Sequence, residues 1–162
     1  MSHYVNFKTQ ITDVTALVRA LKRCHTKIGR KWTENDIEVY GTAANLYGYT
    51  GDKRNDKANV IIRRKNVQAS ANDIGFVREK DGTYSAIISD FDQGTGEYAH
   101  GSHGFYGKDW QEELIQFYNL EKAKMLCDEN DLEYEESVEQ GDPVLLAKFK
   151  VDNDPEKLTV DL

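Results

Sequence analysis

The stretch from Ala58 to Asp92, ANVIIRRKNVQASANDIGFVREKDGTYSAIISDFD, holds three short runs rich in β-branched and aromatic residues: Val60–Arg63, Ile74–Arg78 and Tyr84–Asp90. Such residues fit a pleated, half-buried surface, so each run reads as a strand. Glu79-Lys80-Asp81-Gly82 joins the last two. Its Asp-Gly pair marks a hairpin, because glycine accepts the positive φ that a tight turn needs. A three-stranded antiparallel unit is expected, and the flanking segments read as elements packed around it.

Upstream, Tyr4–Ile11 alternates Val5, Phe7, Thr9 and Ile11 against Tyr4, Asn6, Lys8 and Gln10, the period of a half-buried strand. Thr12-Asp13 offers a helix N-cap. Val14, Leu17, Val18 and Leu21 then recur as one apolar stripe of a helix ending near Cys24. Lys22, Arg23, Lys27, Arg30 and Lys31 gather at and beyond that helix's C-terminus, where the helix dipole favours cations. Ile37–Tyr40 reads as a strand, and Gly41–Lys57, with three glycines and a polar run, reads as a loop.

Downstream, Gln93–Lys108 holds five glycines and is expected to be a loop. Asp109 caps a second helix whose Trp110, Leu114, Phe117 and Tyr118 share an apolar side, extending to about Cys127. The acidic run Asp128–Glu139, with Leu132 and Tyr134, offers a short pairing segment. Gly141-Asp142-Pro143 turns the chain into a last strand, Val144–Val151. The expected order is β-α-β-β-β-β-α-β: an α+β fold with an antiparallel sheet of about five to six strands and two main helices on one face. Residues 1–151 are expected to form a single domain and 152–162 a C-terminal tail.

With 162 residues the chain is long enough to bury a real core. It is 39% hydrophobic and 30% charged, with no apolar run of bilayer length. The opening Met-Ser-His-Tyr-Val-Asn-Phe-Lys lacks the apolar region of a secretory signal, which points to a cytoplasmic or equivalent compartment. Cys24 and Cys127 are the only cysteines, too few for a disulfide framework. Net charge is −7, unevenly spread: Met1–Asp81 has 15 Lys and Arg against 9 Asp and Glu, or +6, while Gly82–Leu162 has 6 against 19, or −13.

The opening MSHYVNFKTQITDVTALVRAL, the ANVIIRRKN strand, NDIGFVREKDGTYSAIISDFD and a tryptophan opening a helix with Phe117-Tyr118 together resemble one family. It is the hypothetical chloroplast frame thirty-five family of red-algal plastids and cyanobacteria, a domain of unknown function. The resemblance spans most of Met1 to Val151, and the order and spacing of the pieces are its specific part. The chain departs from the family in the Gln93–Lys108 insertion, the long Gly41–Lys57 segment and the tail after Val151. The resemblance implies a photosynthetic host, or a phage infecting one, and a cytoplasmic or stromal setting. It carries over no catalytic residue.

Three constellations bear on function. His100 and His103, three residues apart on the glycine-rich loop, can reach one metal ion, with Asp90 and Asp92 near enough in sequence to complete a site. Metal binding requires three or four converging ligands, and only two histidines are adjacent here. Lys53, Arg54, Lys57, Arg63, Arg64 and Lys65, interleaved with Tyr47 and Tyr49, offer charge and stacking for single-stranded nucleic acid. Strand alternation places Arg64 on the opposite face from Arg63 and Lys65, which splits that cluster. Tyr98, Phe105 and Tyr106 make the glycine-rich loop aromatic, a feature suited to a protein partner. No nucleophile elbow or catalytic set is assembled and no cofactor motif stands out. The expectation is therefore a non-enzymatic accessory or regulatory protein that binds a protein partner. A nucleic-acid-binding regulator and a metal-binding protein are the alternatives.

Overall fold

The computed structural model describes residues 3–27, 29–95, 98, 106 and 109–148. It is α+β: a five-stranded antiparallel sheet, a separate two-stranded sheet, and three helices of which two are long. Two compact units divide the chain, Met1–Tyr118 and Asn119–Leu162.

The first unit carries β1 (Tyr4–Lys8), α1 (Val14–Arg23), β2 (Ile37–Tyr47), β3 (Lys53–Ile62), β4 (Ile74–Arg78), β5 (Tyr84–Ser89) and the short α2 (Asp90–Gln93). Its sheet runs β1-β5-β4-β3-β2, so the meander from β2 to β5 is closed by the N-terminal strand pairing with β5. The register aligns Phe7, Ala86, Phe76, Val60 and Val39 across all five strands. Alternation puts Val5, Ile88, Ile74, Ile62 and Ile37 on that same face. On the opposite face Leu46, Ala58, Ile61 and Ile87 form a second buried cluster, flanked by Tyr4, Tyr40, Ala44 and Val77. Both faces of the central strands are thus apolar, which is why β5 is buried at all six positions.

The β4–β5 turn forms where Asp81-Gly82 predicts it, with Gly82 at φ 86° and the Glu79 N–H donating to the Thr83 carbonyl at 2.8 Å. The expected loop over Gly41–Lys57 is corrected: it is the outer half of the β2–β3 hairpin, turning at Gly48–Asp52. Its polar residues alternate toward solvent while Leu46 and Ala58 point inward, so composition hid a strand pattern. The register slips between Val39 and Ala44, and the Asn59 side-chain amide donates to the Tyr40 carbonyl at 3.2 Å to close the irregularity. A Cβ at Gly48 would lie 2.5 Å from Asp52 Oδ1 and 2.6 Å from Arg54 Nε, so a side chain there would displace the Asp52–Arg54 pair.

Asp13 caps α1, accepting from the Ala16 N–H at 3.0 Å, and Ala16, Leu17, Ala20 and Leu21 are its buried face. The helix α3 (Trp110–Glu129) begins in the first unit and ends in the second. In the first unit Trp110, Leu114 and Tyr118 are buried at i, i+4 and i+8. The Tyr118 hydroxyl accepts from the Thr12 and Asp13 N–H groups, both at 3.1 Å, and Arg23 lies 4.7 Å over the Phe117 ring.

In the second unit the acidic run becomes β6 (Glu133–Glu139), paired antiparallel with β7 (Asp142–Lys148). Gln140 and Gly141, both at positive φ, make the two-residue turn whose twist matches the strands. Lys124 on α3 pairs with Glu136 on β6. Among the described residues no helix is long and apolar enough to cross a membrane.

Candidate binding surfaces

Asn72 and Asp73, just before β4, gather four parts of the first unit. Asp73 is 1% exposed, and its Oδ2 accepts from the Tyr47 N–H at 2.8 Å and from Arg63 at 2.8 Å. Its Oδ1 accepts from the Arg64 N–H at 2.7 Å, and its carbonyl accepts from the Tyr4 hydroxyl at 2.9 Å. Arg63 also donates through Nε to both Glu38 oxygens, at 3.1 and 3.0 Å, and through a terminal nitrogen to the Asn45 carbonyl. Burial alone pulls the Arg63 guanidinium down, but its hydrogen bonds to Asp73 and Glu38 outweigh that and hold it above its ordinary value. Glu38 is likewise pushed up by burial and held below its ordinary value by Tyr40 and Arg63.

Around this network lies an open depression of about 810 Å³. Glu38, Tyr47, Arg63, Arg64, Lys65 and Asp73 line it, with the small residues Gly51 and Ala69 leaving its wall low. The sequence-based split of the basic cluster is corrected here. β3 ends at Ile62 and Arg64–Asn66 is a 3₁₀ turn, so strand alternation does not apply and Arg63, Arg64 and Lys65 all reach one cavity. The other half of the cluster does not join them. Lys53 and Lys57 are exposed on β3, and Arg54 is pinned to Asp52 at 2.8 Å and over the Tyr4 ring.

The expected metal set fares differently. β5 stops at Ser89, which caps α2, so Asp90 and Asp92 lie in that short helix and meet different partners. Asp90 Oδ1 accepts from the His3 N–H at 2.9 Å, whereas Asp92 Oδ2 accepts from the Asn72 N–H at 3.0 Å and side-chain amide at 3.2 Å. Asp92 is fully buried with Oδ1 unpartnered, and burial pushes its carboxyl up to about 6. His100 and His103 lie outside the described residues, among which no group of three or more His, Cys, Asp or Glu is placed to hold a metal ion.

Of the aromatic loop, Phe105 also lies outside the described residues. Tyr98 is half-buried, its ring edge-on to Phe91 at 5.1 Å. Tyr106 is buried, 4.8 Å from the Trp110 ring and 6.2 Å from Trp32, so it belongs to the core and offers no docking surface.

The second unit presents a surface that sequence reading passed over. Every residue of β6 is exposed. Residues 128–142 hold eight acidic side chains and no lysine or arginine. Register and alternation place Tyr134, Glu136, Val138, Pro143, Leu145 and Ala147 on one hairpin face, with Val138 68% exposed and Leu145 half-buried. Glu133, Glu139 and Asp142 are on the other face, with Leu146, itself 49% exposed.

Compared with family models, curated proteins and solved structures, the chain matches none.

Proposed function

We propose that the protein is a non-enzymatic accessory or regulatory factor that binds a protein partner through the β6–β7 hairpin. The setting follows the family resemblance: the cytoplasm or stroma of a photosynthetic host, or a host cell infected by a phage. The carrying observation is the exposed apolar side chains Tyr134, Val138 and Leu146 on a hairpin otherwise edged with acids. Water disfavours exposed apolar side chains of this size, and the edge of a two-stranded sheet is a place on which another chain can build. The acids select the occupant, a protein surface with an apolar strip flanked by lysine and arginine.

The test captures partners from a host lysate with the full chain and maps the contact by hydrogen exchange. The expected result is one partner with a basic surface, slowed exchange over residues 133–148, and loss of capture by Val138→Glu with Leu146→Glu. Capture that survives both substitutions, or protection confined to the first unit, overturns the reading.

A further inference from the structure

We infer that the depression beside Arg63 binds a phosphorylated small molecule of nucleotide size, its phosphate on Arg64 and Lys65 and its planar group against Tyr47. This site is independent of the hairpin.

Charge within the cavity is sorted by the hydrogen bonds. Glu38 and Asp73 are both spent on Arg63, and Asp73 additionally holds the Arg64 and Tyr47 backbone N–H groups. Arg63 in turn spends Nε and one terminal nitrogen on these carboxylates and the Asn45 carbonyl. The cationic groups left facing the cavity are Arg64 and Lys65. Arg64 donates from one terminal nitrogen to the Ala69 carbonyl at 2.7 Å, which fixes the guanidinium while its remaining donors stay available. Lys65 is exposed beside it. A guanidinium with an adjacent ammonium is the donor set that phosphate oxygens accept from.

Aromatic contact comes from Tyr47. Arg63 stands 5.6 Å from its ring centre, yet the residue remains 38% exposed. The Tyr47 backbone is fixed by Asp73 on both sides, since the Asp73 N–H donates to the Tyr47 carbonyl at 2.9 Å. A ring on a fixed backbone is a stacking surface with little left to order on binding. The cavity's volume of about 810 Å³ suits a single small ligand.

Calorimetric titration of the full chain with adenosine monophosphate, inorganic phosphate and a short single-stranded RNA tests the assignment. The mononucleotide is expected to bind saturably at one site. Lys65→Glu and Arg64→Gln each weaken it by at least about tenfold, the worth of one charge-assisted hydrogen bond. Tyr47→Ala weakens the mononucleotide more than inorganic phosphate, and it leaves the backbone bonds to Asp73 in place. Thermal unfolding of each variant shows that the fold persists. Lys53→Glu with Lys57→Glu leaves mononucleotide binding unchanged, because neither side chain lines the cavity. Absence of saturable binding by the mononucleotide at millimolar concentration overturns the proposal. So does RNA binding that the mononucleotide fails to displace and that Lys53→Glu with Lys57→Glu abolishes.

Discussion

The Asn72–Asp73 junction and the β6–β7 hairpin are opposite solutions to where polar groups go. At the junction, donors from β1, β2 and the turn after β3 converge on one buried carboxylate and its carbonyl, across sequence separations of up to 69 residues. On the hairpin, the strands pair across a two-residue turn and all of β6 is exposed. The junction is saturated and therefore fixes one arrangement of strands. The hairpin keeps Tyr134, Val138 and Leu146 exposed and therefore has apolar surface to offer. Stability and recognition are consequently separable by substitution.

The sharpest way to break that contrast is Asp73→Ala. It strands the Tyr47 and Arg64 backbone N–H groups in a site where Asp73 itself is 1% exposed, and takes from Arg63 one acceptor while Glu38 and the Asn45 carbonyl remain. Each buried donor left without a partner costs about 1–3 kcal/mol. Denaturant unfolding of the variant is expected to show a loss of that size. A loss below about 1 kcal/mol, the range of an ordinary surface pair, would mean the junction does not fix the strands.

Asp92→Asn comes next, with the opposite sign. Asp92 is buried and held up at about 6 against an ordinary 3.8. Below the lower value both folded and unfolded chains carry the proton and the site is neutral to stability. Between about pH 4 and pH 6 the folded chain keeps a proton that the unfolded chain releases, so stability falls as pH rises, by up to about 3 kcal/mol in all. Asparagine accepts from Asn72 without ionising. The variant should match the parent near pH 3.5 and exceed it near pH 7, read from urea midpoints across pH. Parallel pH profiles for the two proteins would show that burial does not hold Asp92 as described.

A smaller loss is expected at Gly75. A Cβ there would meet the Ala58 Cβ at 2.5 Å and both Leu46 methyls at 3.1 Å, so Gly75→Ala overpacks the lower face of the sheet. The cost is about 1–3 kcal/mol. Adding Ala58→Gly should return part of it, since that removes the nearest atom; additive losses in the double variant would place the strain elsewhere.

How much of this the sequence disclosed depended on the range of the interaction. The β4–β5 hairpin and α1 are written locally, in Asp81-Gly82 and in the spacing of Val14, Leu17 and Leu21, and both form as read. Gly41–Lys57 reads as a loop because β2 and β3 are stabilised across the hairpin, with polar residues on the solvent side while Leu46, Ala58 and, in part, Ala44 pack inward. Asn72-Asp73 carries no local pattern that marks it as a junction. Its partners lie on strands whose order no local pattern reveals. Arg64 was assigned to the wrong face for a related reason: strand alternation was carried two residues past the point where the chain turns at Arg64–Asn66. The acidic density of residues 128–142 was visible, but that it rides on a hairpin with an apolar face required the register of β6 with β7.

The smallest expected effect on stability belongs to the hairpin, and it completes the contrast with Asp73. Val138 is 68% exposed and opposite Pro143, so Val138→Lys strips no buried surface and strands no donor. Stability should change by no more than about 0.5 kcal/mol, the ordinary range for surface positions. Partner capture should fall steeply, because the substitution removes the most exposed apolar side chain of the hairpin. A lysine also adds a positive charge against a partner selected for being basic. A large fall in stability would mean Val138 is covered within this chain. Unchanged capture with unchanged stability would move recognition away from this face and leave the acidic edges of the hairpin without a role in it.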